Sequence, residues 1–428
     1  MSQLYGLLRF YLTRLFYRAL GIRVNYWRRQ VGELWHMSPD ERGRSLERYL
    51  AEDPLHDACG GTISKLAEIN RAPRMSKEVF REAAGGSEQQ GSAKQVGSRF
   101  ARHTAGTTGA PTHITLNRTE LGQMLGVRDY CFRHHGIRLG EAEARIWGRP
   151  DKGFKARLRD FLLNRRVYYP TGTLAETEVE SLVKSQSDYI YGYASLILEA
   201  ARLIEQKGWE PPPVRCVICT AETVLPSQKR YLEQVLKAPV VEEYGATEFD
   251  IIAFECREGH RHLVNPWLVV EAGDGQCLIS DVSRKSQSIV RYELGDALTL
   301  RVGSCALLGS FKYIDQLEGR SINRFAYLSE SEKFHSSEFA NLIDDYQKEH
   351  NEIFRFRIEQ RSHAKFLLSV YPCPSTGAKH LKEYICDSLY KKYNCKIILS
   401  VDMAPTSKSL NTKSGYFIQN LNNINEQN

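Results

Sequence analysis

The ten cysteines among the 428 residues fall at no framework-like spacing. That excludes a disulfide-stapled secreted domain and makes reduced thiols in a cytoplasmic protein the expectation. Long apolar runs are missing too. Residues 4–20 are apolar and aromatic, but Arg9, Arg14 and Arg18 interrupt them, so neither a secretory signal nor a membrane span can be drawn there. The stretch reads as a basic amphipathic helix that packs on the protein's own body, with peripheral contact to a membrane surface as the alternative. The chain has no Gly-x-Ser-x-Gly elbow, which excludes a serine hydrolase of that kind, and no Gly-x-Gly-x-x-Gly turn, which excludes a dinucleotide-dependent dehydrogenase. Its net charge of +7 is scattered, with no helix-turn-helix, RNA-binding aromatic signature or zinc finger, so a nucleic-acid partner is not expected. Nothing in the sequence sets an oligomeric state.

Short, small and hydroxyl-bearing residues are what the chain does concentrate. Thr104, Gly106, Thr107, Thr108 and Gly109 lie within six positions, closed by Pro111. Glycines let a tight loop bring backbone N–H groups close to an anion, and the threonines add hydroxyl donors, so this is phosphate-binding chemistry. The Lys-Ser/Thr pair of a Walker loop is absent. Read alone, the loop is equally a simple strand connection.

Two further segments follow in order. Glu243, Tyr244, Gly245, Ala246, Thr247 and Glu248 come after the strand-like run 238–241. Tyr292, Glu293, Leu294, Gly295 and Asp296 close another apolar run, and Gly319 and Arg320 come after them. Between, residues 214–218, 251–252 and 278–279 read as buried strands alternating with helices over 194–206 and 227–237, an α/β pattern. Beyond Arg320 the pattern changes to strands over 354–358 and 365–371, a helix over 379–393 and a strand over 396–401, a small α+β unit.

This series of segments resembles the adenylate-forming enzymes, and within them the phenylacetate-CoA ligase family, especially its branch associated with capsule and surface-polysaccharide genes. The segments 187–196 and Thr220-Ala221-Glu222 add to that likeness. The resemblance implies a large α/β domain over residues 1–318 and a small mobile α+β domain over 319–428. It implies an ATP-dependent, AMP-forming ligase that makes an acyl adenylate from a small carboxylic acid and passes the acyl group to coenzyme A. An amine acceptor is the alternative, and a catalytically weakened nucleotide-binding protein of the same fold is the second.

By the same resemblance, Thr104, Gly106, Thr107, Thr108 and Gly109 hold the phosphates, Tyr244, Gly245, Ala246 and Thr247 flank adenine, and Asp296 takes the ribose. Glu248 ligates Mg²⁺, Arg320 meets the ribose or the α-phosphate, and Lys413, with Lys408 as the rival, acts at the α-phosphate. Tyr191, Tyr193 and Phe249 are the candidates to line the acid pocket, with core packing as the other role for such aromatics. The chain departs from the pattern at Ala110, where many relatives carry lysine, and at Ile322 and Asn323, where an acidic hinge is usual.

One cluster stands outside these motifs. Cys256, His260 and His262 put soft ligands within seven residues, and Cys216, Cys219, Cys277 and Cys305 are candidates to join them. A structural Zn²⁺ needs four ligands, and paired knuckles are lacking, so buried free cysteines are the ordinary alternative.

Overall fold

The computed structural model describes residues 2–57, 59–82, 100–103, 113–148, 153–171, 175–273, 276–303, 305, 307–309, 311–320, 325–405, 410 and 416–419. Its centre is a nine-stranded sheet that is parallel in one half and antiparallel in the other. From one edge the strands run Asp296–Val302, Lys312–Arg320, Arg261–Leu263, Asp250–Glu255, Val240–Ala246, Val217–Thr220, Tyr189–Tyr193, Glu143–Ile146 and Arg165–Tyr168. The strand Val240–Ala246 is the seam: it pairs in parallel with Val217–Thr220 and antiparallel with Asp250–Glu255.

The parallel half is buried on both faces, and its side chains alternate between two cores as a pleated strand requires. Tyr189, Tyr191, Ile218 and Val241 face a core completed by Phe132 and by Val31, Leu34 and Leu50 of the N-terminal helices Val24–His36 and Pro39–Glu52. Ile190, Val217, Cys219 and Val240 face the opposite core, covered by Ile197, Ala201 and Ile204 of helix Ala194–Lys207 and Leu232 of helix Pro226–Leu236. Local signals set the helix ends. Ser38 and Glu41 form a reciprocal capping box ahead of Pro39, and Asn117 with Glu120 does the same for helix Arg118–His134. Gly208, left-handed at φ 61°, stops helix Ala194–Lys207, with the Trp209 N–H returning to the Ile204 carbonyl at 3.0 Å.

The first helix, Ser2–Ala19, packs on the body through one face, as its sequence suggested. Phe10 and Thr13 are buried, and the Arg9 guanidinium lies 3.6 Å from the centre of the Phe161 ring. Its other face exposes Leu4, Leu8, Tyr11 and Leu15, each at 60% or more. No helix among the described residues is long and apolar enough to cross a membrane.

The large sheet includes its edge strand as far as Arg320, two residues past the boundary predicted at 318. From Phe325 onward a second core forms. A four-stranded sheet, ordered Ile398–Met403, Lys365–Tyr371, Arg355–Ser362 and Phe417–Gln419, carries helices Ser337–Glu349 and Ala378–Tyr393. Phe339, Ile343, Phe356, Phe366, Leu381 and Ile385 fill it, and Leu225 of the large sheet's connections inserts into it. Polar contacts join the two units: Ser227 N–H donates to Asp344 at 2.8 Å, Ser227 Oγ to Gln347 at 3.1 Å, and the Tyr416 hydroxyl to the Thr223 carbonyl.

Candidate active site

In the parallel half the chain runs from strand Glu143–Ile146 outward to Arg165–Tyr168, then crosses back to Tyr189–Tyr193 on the other side. Such a reversal leaves a crevice at the carboxyl ends of the two strands that flank it. The carboxyl ends of four parallel strands supply Trp147, Tyr193, Thr220 and Tyr244 through Ala246, and all of these line a cavity of about 880 Å³. That is room for a ligand of nucleotide size.

At one end of the cavity the sequence-predicted nucleotide residues meet. Tyr244, Gly245, Ala246, Thr247, Glu248 and Asp296 all line it. The Tyr244 hydroxyl donates to Asp296 Oδ2 at 2.9 Å, so Tyr244 engages the acid assigned to the ribose as well as lying where adenine was expected. Glu248 sits in the turn between strands Val240–Ala246 and Asp250–Glu255, is 5% exposed, and accepts the Tyr292 hydroxyl on Oε1 at 2.9 Å. Arg320 stands directly across the sheet from Asp296 in the register of their two strands. Ala221, at φ 64°, also lines the cavity between Thr220 and Glu222. A left-handed alanine costs of order 1–3 kcal/mol, and such strain gathers at functional sites. Glu222 in turn accepts the Ser195 N–H at the start of helix Ala194–Lys207 at 2.8 Å.

Gly245 lines the cavity too, but its own hairpin is what requires glycine. A Cβ there would lie 2.1 Å from the Asp250 carbonyl oxygen, a backbone atom that cannot step aside. Gly245→Ala is therefore expected to lower stability by about 1–3 kcal/mol, read as a shifted urea midpoint with unchanged slope. An unshifted midpoint would show that the hairpin opens without cost.

The other end is a belt of paired charges under aromatic rings. Glu143 accepts the Tyr189 hydroxyl at 2.7 Å and is also bonded by Arg145. Glu243 accepts the Tyr191 hydroxyl at 2.7 Å and Thr220 at 3.0 Å. Arg128 bridges Asp250 at 3.0 Å and Glu243 at 3.6 Å, with its guanidinium 5.1 Å from the centre of the Tyr191 ring. Burial opposes the Arg128 charge, but the Asp250 and Glu243 carboxylates overcome it and hold the group well above the usual arginine value. Burial likewise opposes ionisation of Glu143, and Arg145 overcomes it, leaving Glu143 below the usual carboxylate range. For Glu243 burial wins and its pKa is raised. Burial and the nearby Glu143 push Tyr17 up to about 12 where it reaches the cavity from the first helix. Trp147 stacks on Tyr193 with centroids 4.1 Å apart and on Tyr191 at 5.8 Å.

Of the predicted acid-pocket residues, then, Tyr191 and Tyr193 line the cavity, whereas Phe249 belongs elsewhere. Its ring is fully buried, edge-on to Tyr292 at 5.9 Å, in the core beneath the turn. Arg128, Glu143, Arg145 and Trp147 belong to none of the sequence motifs, and Ala221 and Glu243 stand in motif segments without an expected role. Thr104, Gly106, Thr107, Thr108, Gly109, Lys408 and Lys413 lie outside the described residues, as do Ala110, Ile322 and Asn323.

No family model and no curated protein matches the chain. Solved structures do. The chain is similar to 2-hydroxyisobutyryl-CoA ligase in the postadenylation state, in complex with 2-HIB-AMP, at 15% identity over 90% of both chains with a TM-score of 0.66. Against the same ligase in the thioesterification state, with 2-HIB-AMP and CoA, the values are 17% identity, 90% of this chain, 91% of that chain and a TM-score of 0.53. At this level of identity the likeness concerns the fold. The chain has the fold of the adenylate-forming ligases, a large α/β domain followed by a small α+β domain.

Proposed function

We propose that this chain is an ATP-dependent, AMP-forming carboxylate ligase. The observation that carries the reading is the convergence of Tyr244, Glu248, Tyr292 and Asp296 on one end of a single cavity whose other end is aromatic. In the first step a carboxylate oxygen of the acid attacks the α-phosphorus of ATP. The bond to the β-phosphate oxygen breaks, and pyrophosphate leaves with that electron pair. In the second step the sulfur of a thiol, coenzyme A in this reading, loses its proton to solvent and attacks the acyl carbonyl carbon; the bond from that carbon to the phosphate oxygen breaks, and AMP departs with the electron pair.

The chain's part is positioning and charge neutralisation. Asp296, oriented by Tyr244, accepts from the ribose hydroxyls. Thr104, Gly106, Thr107, Thr108 and Gly109 cradle the phosphates, and Lys413 or Lys408, with Arg320, meets the α-phosphate. The buried Glu248 carboxylate, held by Tyr292, fits a hard cation: Mg²⁺ bound there would neutralise phosphate charge. Trp147, Tyr191 and Tyr193, with Leu125 and Leu139 beyond them, receive an acid with an apolar or aromatic body.

The small domain after Arg320 is the moving part in this reading. The whole chain is more similar to the postadenylation state than to the thioesterification state of the same ligase, with TM-scores of 0.66 against 0.53, which fits a small domain placed as in the first of these. The contacts of Ser227 and Tyr416 across the two units are the ones a rotation would exchange.

The test is pyrophosphate release with ATP, Mg²⁺ and a library of carboxylic acids, hydroxylamine trapping the adenylate. Mass spectrometry then reads thioester with coenzyme A supplied against amide with amino sugars or amino acids supplied. Release above that of Glu248→Gln with at least one apolar or aromatic acid, and thioester as the product, is expected. Amide alone would replace the thiol acceptor by an amine. Nucleotide binding without release for any acid would overturn the enzyme reading in favour of a nucleotide-binding protein.

A further inference from the structure

We infer that Cys256, His260, His262 and Cys305 form a structural zinc site. The ligand atoms of all four lie within 4.8 Å of one another, and the topology explains why. Cys256 follows strand Asp250–Glu255, and the chain turns tightly through Gly259 at φ 85°. The Gly259 N–H bonds the Cys256 carbonyl at 3.0 Å and the Cys256 N–H bonds the His260 carbonyl at 2.9 Å. Strand Arg261–Leu263 then returns with His262, two residues beyond His260 and on the same face of the pleat. Cys305 arrives from a different part of the chain, the connection between strands Asp296–Val302 and Lys312–Arg320.

The separations are close to those a tetrahedral site needs. Zinc bonded to sulfur at about 2.3 Å and to nitrogen at about 2.0 Å gives sulfur–sulfur edges of about 3.8 Å and sulfur–nitrogen edges of about 3.5 Å. Here Cys256 Sγ lies 3.9 Å from Cys305 Sγ and 3.9 Å from His260 Nδ1, and His262 Nε2 lies 3.2 Å from Cys305 Sγ. The two sulfurs are too far apart for a disulfide. Two thiolates and two neutral imidazoles around Zn²⁺ carry no net charge, which suits Cys256 and His262 at 3% and 0% exposure. Thiolate and imidazole together select zinc over magnesium or calcium.

The site would tie the hairpin that follows Glu248 to the connection between the strands bearing Asp296 and Arg320. That loop also reaches helix Arg118–His134, since the Tyr130 hydroxyl donates to the Leu308 carbonyl at 3.3 Å. A zinc ion would thus brace the base of the nucleotide end without touching the cavity. The inference stands apart from the ligase reading, because none of the four residues lines the cavity.

The test is elemental analysis of the full chain, purified reduced and without chelator, then stripped and reloaded with Zn²⁺ or Co²⁺. One zinc per chain is expected. The cobalt form should show thiolate-to-metal charge transfer with tetrahedral ligand-field bands. His260→Gln and Cys305→Ser should each weaken zinc retention by about tenfold or more against a competing chelator. Zinc below about a tenth of an equivalent after reloading would overturn the site, as would retention unchanged in both variants. Should Cys305→Ser fail to fold, the unmutated protein decides: a cobalt spectrum without the thiolate band overturns the assignment.

Discussion

Glu248→Gln is expected to suppress ATP–pyrophosphate exchange by about 10²–10³-fold while leaving the fold in place, the size of effect seen when one charge-stabilising group is lost from a phosphoryl- or acyl-transfer site. The substitution is nearly isosteric, and the amide oxygen can still accept the Tyr292 hydroxyl now held at 2.9 Å by Oε1. What disappears is the anion. A carboxamide is a poor ligand for Mg²⁺, which needs hard, charged oxygen, so the loss should be partly offset by raising Mg²⁺. Tyr292→Phe separates orientation from charge: it keeps the carboxylate but frees its rotamer, and about a tenfold loss is expected, the worth of one hydrogen bond. Circular dichroism and the thermal midpoint serve as fold controls. Exchange at the wild-type level in Glu248→Gln, at saturating acid and limiting Mg²⁺, would remove Glu248 from the reaction.

That Tyr244 to Glu248 and Asp296 meet at one cavity was legible because their signals are local. Small residues followed by an acid after an apolar run, as at Tyr244 to Glu248 and at Gly295-Asp296, mark a turn between strands whatever the tertiary fold. The second core was legible from period alone: the helix expected over 379–393 is Ala378–Tyr393, and the strand expected over 365–371 is Lys365–Tyr371. Phe249 shows the limit. An aromatic next to an acid in a turn looks like a pocket wall, but the turn closes with the Phe249 N–H on the Ala246 carbonyl at 3.1 Å and sends the ring inward against Tyr292. Backbone curvature of that kind has no period to read.

The belt of paired charges under Tyr191 was missed for a different reason: its members come from separate elements, and only topology brings Arg128 of helix Arg118–His134 to Glu243 of strand Val240–Ala246. A signal did exist. In the strand Glu143–Ile146, alternation places Glu143 and Arg145 on one face of a doubly covered parallel strand, where charge is costly unless paired. Two opposite charges at i and i+2 in such a strand already say that something polar lies above them. The metal-ligand cluster divides in the same way. Cys256, His260 and His262 are neighbours in sequence, whereas choosing Cys305 required the sheet order, which buries Cys219 and Cys277 in other cores and leaves Cys216 in the core that Cys256 shares but outside the ligand cluster.

Arg128→Met should be the most destabilising single change at the site, costing about 3–5 kcal/mol, because it strands two carboxylates where Arg128 now stands between them. The guanidinium is 11% exposed, pairs with Asp250 at 3.0 Å and Glu243 at 3.6 Å, and covers the face of Tyr191. Burial already raises the Glu243 pKa, and Arg128 is the largest influence lowering it, so removing Arg128 sends it higher still. A carboxyl whose folded pKa exceeds its unfolded value binds its proton more tightly when folded. Stability is then greatest below the unfolded value and falls as pH rises through the folded one. Arg128→Met should therefore regain stability as pH is lowered from about 7 toward 5, more steeply than the wild type. Adding Glu243→Gln, which removes the charge and keeps an acceptor for Tyr191 and Thr220, should restore part of the loss at neutral pH and flatten that dependence. Urea midpoints of the three proteins across this range make the comparison. Parallel pH profiles for wild type and Arg128→Met would mean that Glu243 and Asp250 are neutralised by something other than Arg128, and that the belt holding Tyr191 against the cavity does not depend on this arginine.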